Sequence, residues 1–474
     1  MRKLPVSPSH LLLLVVFQLA LYLPLIGRGL VFDDFQHVYS AAHEPISHGL
    51  TRVQGGPFYD PVAWLAFKLD WMLWRGRSFP MAAENLLVHI ANTLLLYLLA
   101  LGLLKSQAAA WWTALGFALL FPANTWTVMY IATRAHLLST FSYLAALIAA
   151  LWYVHTPRNR TLAGMIVIVC SSLSMFAKEN GVTVIAAVLI ILVHQRQSLK
   201  QKIFRPADIL LSIALLGSLT VYLGMRSQSG AISPTVPDEN YNYALSATRL
   251  VDNVLRYTWR TYGLLAILAA ALTASQCLRG LRPSLPSVRG RDVWLSLTLF
   301  AVGVAPFVLL SVRSATYSYL PGIGAALLLG AVARSLHAGN RTPWTRHAWL
   351  TSSPVLLVVG MYAAFTVGQS WKWVRMGEVS RAVLDQIAMH QPEVEPNTFV
   401  ALKYSDVDRE HRFPNGFPGR TFSFAVRLLY NDSSLDGSVI RHGEAYSIGE
   451  NRREIQFEYV LVNGKPTIRK ILQN

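Results

Sequence analysis

The stretch HLLLLVVFQLALYLPLIGRGL, residues 10–30, runs directly into VFDDFQH, residues 31–37. The first part is long and apolar enough to cross a bilayer core, which takes roughly 20 residues of helix. It is too long for the apolar core of a typical signal peptide, and no convincing small-residue cleavage site follows it. It therefore reads as a retained first helix. The second part sets two adjacent acids, Asp33 and Asp34, between Phe32 and Phe35 at the membrane surface. A carboxylate pair there could anchor a loop, bind a metal or take a proton from an acceptor.

The rest of the chain has the same character. Hydrophobic residues make up 53% and charged residues 14%, so charge is far below the soluble norm. About eleven spans are predicted, near residues 10–30, 83–104, 108–122, 135–154, 161–177, 181–195, 207–225, 257–277, 293–312, 316–335 and 348–368. Arg2 and Lys3 precede the first span. Alternate short loops then carry Lys105; Arg158 and Arg160; Arg196, Lys200, Lys202 and Arg205; Arg279, Arg282, Arg289 and Arg291; and Arg334, Arg341 and Arg346. Loops of that kind belong in the cytoplasm. The N-terminus is then inside, and an odd span count puts the C-terminus outside with loops 31–82, 123–134 and 226–256. The net charge of +17 thus follows from topology and does not suggest nucleic acid. Cys170 and Cys277 lie in apolar segments and imply no disulfide framework.

Within loop 31–82, Pro61 to Trp74 reads as amphipathic, with Trp64, Phe67, Trp71 and Trp74 alternating with Lys68 and Asp70. It is expected to lie in the interface with its rings at headgroup level; the alternative is a sheltered loop helix. Residues 369–391 read as an outer helix. Residues 397–474 read as a small α/β or mostly β domain, with strand-like runs at Thr398–Tyr404, Thr421–Tyr430 and Glu454–Val462. Asn463-Gly464 is a hairpin signal that lets Thr467–Leu472 pair back. The expected fold is mainly α: a polytopic membrane region over residues 1–368 and an extracytoplasmic α/β domain over 369–474.

By this topology four charged groups share the outer end of their helices: Asp33-Asp34, Arg134, Lys178-Glu179 and Arg313. Together they are the inventory for moving a group off a phosphate, with a carboxylate to accept a proton and cations to hold the leaving anion. Each also has a plainer role. The acids could cap a helix, Arg134 could snorkel, Lys178 and Glu179 could pair locally, and His89 could be a satisfied core histidine. Metal-ligand spacing, a P-loop and a Gly-x-Ser-x-Gly elbow are all absent from the sequence, so an ATP-driven transporter or a membrane serine hydrolase lacks support.

Five stretches in collinear order resemble one family. They are Phe32-Asp-Asp-Phe35 after the first helix; Glu84-Asn-Leu-Leu-Val-His-Ile-Ala-Asn92; Leu120-Phe-Pro-Ala-Asn124 through Tyr130-Ile-Ala-Thr-Arg134; Ala177-Lys-Glu-Asn-Gly-Val-Thr183; and Tyr317-Ser-Tyr-Leu-Pro-Gly-Ile-Gly324. They are similar to the GT-C superfamily of glycosyltransferases that use polyprenyl-phosphate sugars, above all to the membrane part of the transmembrane-and-tetratricopeptide O-mannosyltransferases and their bacterial relatives. Two features depart from that pattern. Phe32 stands where the family often has Trp, and a compact outer domain replaces the tetratricopeptide tail.

The resemblance implies an inverting transfer on the outer face of a bacterial inner membrane, from a polyprenyl-phosphate monosaccharide to a protein, glycan or lipid acceptor. One of Asp33 and Asp34 would be the base. Arg134, Lys178 and Arg313 match motif positions that hold the donor phosphate, with Arg256 and Arg260 as further candidates. Glu179, His89, Tyr317 and Tyr319 lie in the matching segments. No cofactor is required, although two acids beside a lipid phosphate could bind a divalent metal. Two other functions use the same inventory: a carrier for lipid-linked sugars, and a ligase-type transferase with a diphosphate donor. Spans nearly free of mid-membrane charge favour the enzyme over the carrier.

Overall fold

The computed structural model describes residues 6–27, 29–52, 58–120, 122–203, 205–231, 246–278, 288–338, 348–404, 417, 421–441, 443, 444, 446, 448, 452–462 and 465–471. The chain opens with α1 (Pro8–Tyr22) and three short helices, α2 (Asp34–His43), α3 (Ile46–Thr51) and α4 (Pro61–Trp74). A bundle follows: α5 (Ser78–Leu104), α6 (Gln107–Ala118), the short α7 (Ala123–Met129), α8 (Arg134–His155), α9 (Arg160–Ala177), α10 (Val184–Ser198), α11 (Pro206–Gln228), α12 (Ala247–Leu278), α13 (Gly290–Val304), α14 (Gly322–Ala338) and α15 (Ala348–His390). The C-terminal part is β1 (Thr398–Tyr404), α16 (Thr421–Tyr430), β2 (Asp436–Arg441), β3 (Arg453–Val462) and β4 (Lys465–Ile471).

Every predicted span overlaps a helix, although those at 10–30, 293–312 and 316–335 also take in turns outside it. Among the described residues, however, 6 helical segments are long and apolar enough to cross a membrane: Ser78–Leu104, Ile131–His155, Pro157–Ala177, Glu179–Ser198, Pro206–Gln228 and Ser353–His390. Proline explains several shortfalls, because it lacks an N–H and biases the residue before it away from helix. Helix α1 stops at Tyr22, just before Pro24; α6 stops short of Pro122; α13 gives way to a 3-10 turn containing Pro306.

Three sequence expectations need correcting. First, the last span and the outer helix at 369–391 are one helix, α15, of 43 residues. At 1.5 Å per residue it reaches about 65 Å, twice a bilayer core. Its far end supplies Val383 and Ile387 to the core of the C-terminal domain. Second, α4 turns its Trp64 and Phe67 inward, both buried. Its exposed apolar face is aliphatic, formed by Leu65, Leu69, Met72 and Leu73. Third, Thr421–Tyr430 is a helix, not a strand. Its apolar residues fit both periods, and tertiary structure decides. Strand β1 lies parallel to both β2 and β3 in a sheet of order β2-β1-β3-β4, with β3 and β4 antiparallel. A parallel β1–β2 pair needs a crossover, which α16 provides. The Asn463-Gly464 turn lies outside the described residues.

Three of the cores bear on the site: the helix bundle, a cluster where the end of α1 meets the start of α5 and that includes Trp373, and the C-terminal domain. The link between α1 and α2 crosses α15 where Gly29 meets Gly377. A Cβ on Gly29 would sit 2.2 Å from the Gly377 carbonyl oxygen, and one on Gly377 would sit 3.0 Å from the Gly29 nitrogen. Overpacking of this kind costs about 1–3 kcal/mol or more, since backbone must move. Gly29→Ala should therefore melt several degrees lower than the parent in detergent, and Gly377→Ala should fall between the two. Equal melting points for all three proteins would contradict this tight crossing.

Candidate functional site

The site grows from residues 31–37. Phe32 has φ of +50°, a left-handed conformation that a bulky residue holds only when its surroundings enforce it. This bend separates four adjacent side chains. The Phe32 ring packs edge-on against Tyr130 and Trp373, at 5.8 and 5.7 Å. Phe35 points the other way, into the C-terminal core, and stacks on Phe417 at 5.4 Å. Between them, Asp33 is exposed and Asp34 is buried.

The two acids therefore have different surroundings. Asp34 accepts backbone N–H bonds from Val31 at 3.1 Å and from Ala132 at 2.8 Å, which pins the loop to the start of α8. Burial pushes its carboxyl up to about 8, with those two bonds pulling the other way. Asp33 faces solvent. Its Oδ2 accepts the Tyr130 phenol at 2.8 Å, and its own N–H donates to the Tyr130 oxygen at 3.2 Å. Its Oδ1 has no hydrogen bond among the described residues.

One turn further along α2, His37 stacks on Phe67 at 4.6 Å. Burial pushes its imidazole down to about 4; Asp33 pulls it back up, while Lys178 and Arg134 push it further down. Burial thus disfavours the charged ring, and the charges of Asp33, Lys178 and Arg134 are all felt there. His37 was not a sequence candidate; its only signal was the i,i+4 spacing from Asp33.

Lys178 ends α9. Its ammonium lies 3.0 Å from the Glu179 carboxylate and 3.7 Å from the centre of the Phe58 ring. Asp60, at the start of α4, is buried close by. Burial pushes its carboxyl up to about 6, opposed by the Lys178 charge. Arg226 acts on both Asp60 and Glu179. Beside this group runs an apolar groove of about 330 Å³ between α3, α4 and α9, lined by Leu50, Pro61, Leu65, Val169, Leu173 and Phe176. Pro61 and Phe176 bring its wall to within two residues of Asp60 and Lys178.

Arg134 is placed differently from the expectation. It is buried and engaged through all three guanidinium nitrogens. Nη1 pairs with Asp70 and lies 3.1 Å from Glu84; Nη2 donates to the Met81 carbonyl at 2.5 Å; Nε donates to Asn85 at 2.9 Å. Its guanidinium ties α4 and α5 to α8 and is buried away from solvent. Arg313, Arg256 and Arg260 form a separate basic set. Arg313 lies 2.5 Å and Arg256 2.9 Å from Asp252, and Arg260 donates to the Ser314 carbonyl at 3.2 Å. Two guanidiniums thus share one carboxylate, and the third is held by a backbone carbonyl. Tyr317, four residues after Arg313, stacks on Phe307 and lies 5.8 Å from His136 of α8. His89 and Tyr319 are interior: His89 Nδ1 meets the Tyr319 hydroxyl at 2.7 Å, and the Asn92 amide donates to the same oxygen at 3.2 Å. They tie α5 to the segment before α14.

The structure therefore sets Asp33 and His37 one turn apart at the start of α2, Lys178 beside Glu179 and Phe58 at the end of α9 with its charge felt at His37, and the arginine set as a separate basic centre. Among the described residues no group of three or more His, Cys, Asp or Glu side chains could hold a metal ion.

No protein-family model matches the chain, and no curated protein sequence does. Solved structures do. ArnT from Cupriavidus metallidurans bound to undecaprenyl phosphate is similar with a TM-score of 0.53 and 15% identity, over 93% of this chain and 87% of that one. Its apo state has a TM-score of 0.54 at 15% identity, over 92% and 86%. The apo oligosaccharyltransferase of Archaeoglobus fulgidus has a TM-score of 0.48 at 11% identity, over 90% of this chain and 64% of that one. The two ArnT structures establish a shared fold along nearly the whole chain, the polytopic architecture that the five sequence stretches imply.

Proposed function

We propose that this GT-C-fold membrane protein is an inverting glycosyltransferase. It takes a monosaccharide from a polyprenyl phosphate and acts on the outer face of a bacterial inner membrane, with its C-terminal domain in the periplasm. The observation that carries this is the state of Asp33: exposed, clamped through one oxygen and open at the other. A carboxylate held this way is placed to work as a general base. The resemblance to ArnT, which was solved with undecaprenyl phosphate, supports the donor class.

Asp33 Oδ1 would take the proton of the acceptor hydroxyl. The acceptor oxygen bonds to the anomeric carbon from the face opposite the phosphate. The bond from that carbon to the phosphate oxygen breaks, and both of its electrons leave with the polyprenyl phosphate. The centre inverts because attack and departure are in line. Lys178 would hold the phosphate as its charge grows, and the groove of Leu65, Leu173 and Phe176 suits the prenyl tail. No nucleotide is consumed, because the donor's own phosphoester supplies the driving force.

The test is reconstitution in nanodiscs with polyprenyl-phosphate monosaccharides, with product and hydrolysed sugar followed by mass spectrometry. Release or transfer of sugar is expected. Tight donor binding with neither transfer nor hydrolysis would overturn the proposal. In the same assay Lys178→Met should raise the donor KM about 10–100-fold, the value of one charge-assisted contact. An unchanged KM would remove Lys178 from the donor site.

A further inference from the structure

The geometry points to Tyr130 as the positioning residue for Asp33, the group that decides which carboxylate oxygen faces the acceptor. The assignment rests on the function proposed above and adds a residue to it. Tyr130 makes two hydrogen bonds to one aspartate. Its hydroxyl donates to Asp33 Oδ2 at 2.8 Å and accepts the Asp33 N–H at 3.2 Å. A side chain held through both its carboxylate and its own backbone has little rotational freedom left. The remaining oxygen, Oδ1, is then fixed in direction as well as open.

The phenol is itself held in place. Its ring stacks on Trp373 at 5.3 Å with a 22° tilt, and Phe32 packs against it edge-on at 5.8 Å. Trp126 closes on Trp373 from the side, at 5.0 Å. Burial, with the nearby carboxylates, raises the Tyr130 hydroxyl well above its ordinary range, so it remains a donor. Trp373 belongs to α15, the helix that continues into the C-terminal core. The setting of the base is thereby linked to the outer domain through two aromatic contacts.

Tyr130 touches neither donor nor acceptor in this scheme, so its effect must pass through Asp33. That makes it separable from a merely structural residue. Tyr130→Phe keeps the ring and its stacking but removes both hydrogen bonds. Its kcat should fall about tenfold with donor KM and melting temperature nearly unchanged. Asp33→Glu moves the carboxylate by one methylene, roughly 1.5 Å, out of register with the phenol. Adding Tyr130→Phe to Asp33→Glu should then cost less than twofold, because the interaction is already lost. The four proteins would be compared by single-turnover transfer in nanodiscs. The same tenfold loss in both backgrounds, or no loss in either, overturns the assignment. Failure of the parent protein to transfer or hydrolyse any donor would instead reject the function beneath it.

Discussion

Asp33→Asn is expected to reduce sugar transfer by about 10²–10⁴-fold, the usual contribution of a positioned general base, with the folded protein unchanged. The side chain is exposed, and its one carboxylate hydrogen bond, to the Tyr130 phenol, can be kept by an asparagine carbonyl oxygen. What the amide cannot do is accept the acceptor's proton. Asp34→Asn should behave in the opposite manner. Asp34 is buried, and each of its oxygens accepts a different backbone N–H, from Val31 and Ala132. An amide offers one oxygen only, so its NH2 must confront a second donor. One buried N–H is then left unmet, which costs about 1–3 kcal/mol. Melting temperature should drop, and activity should fall because the loop loses its tie to α8. Melting in detergent and transfer per folded molecule separate the two variants. A fully active Asp33→Asn protein, or an Asp34→Asn protein that is stable but inactive, would exchange the roles of the two acids.

Sequence alone could not split that pair, because neighbouring identical residues share every periodicity and composition signal. Their difference comes from the positive φ at Phe32 and from partners at Tyr130 and Ala132, nearly a hundred residues away. Helical segments were legible for the opposite reason: an apolar run is a local property, and lipid or packed interior both demand one. Their ends were less legible where proline or a short 3-10 turn interrupted an apolar run, as at Pro24 and Pro306. In the C-terminal domain β1 and β3 declared themselves, whereas β2, DGSVIR, is too polar to stand out and α16 carries an alternation that a strand would also show. The site inventory named chemical types, and their partners in the fold were only partly legible. His37 had only its i,i+4 spacing from Asp33 as a signal, and Tyr130 and Trp373, roughly a hundred and several hundred residues away, reach Asp33 only through the fold.

Arg134 shows how large that gap can be, and its removal should have the largest effect on folding. Its burial at 2% exposure is matched by Asp70 at 1%. Arg134→Met takes away the counter-charge of Asp70 and the donors to Asn85 and the Met81 carbonyl. Breaking one side of a buried ion pair in this way costs about 3–5 kcal/mol, most of it the penalty of the charge left behind. A marginally stable fold loses most of its folded population at that cost, so the single variant should express poorly and elute as aggregate. Arg134→Met with Asp70→Leu removes both charges, and Glu84 keeps its bond from the Trp74 indole. That double variant should recover most of the lost stability, as apolar replacements of buried pairs often do. Recovery has a further consequence. If the guanidinium serves α4, α5 and α8 rather than a lipid phosphate, the rescued protein should bind donor with a KM within a few-fold of the parent. A phosphate-binding arginine predicts the reverse: a single variant that folds normally with a sharply raised donor KM, and a double variant no better. Size-exclusion profiles and donor titrations of the three proteins decide between a charge that builds the site and one that works in it.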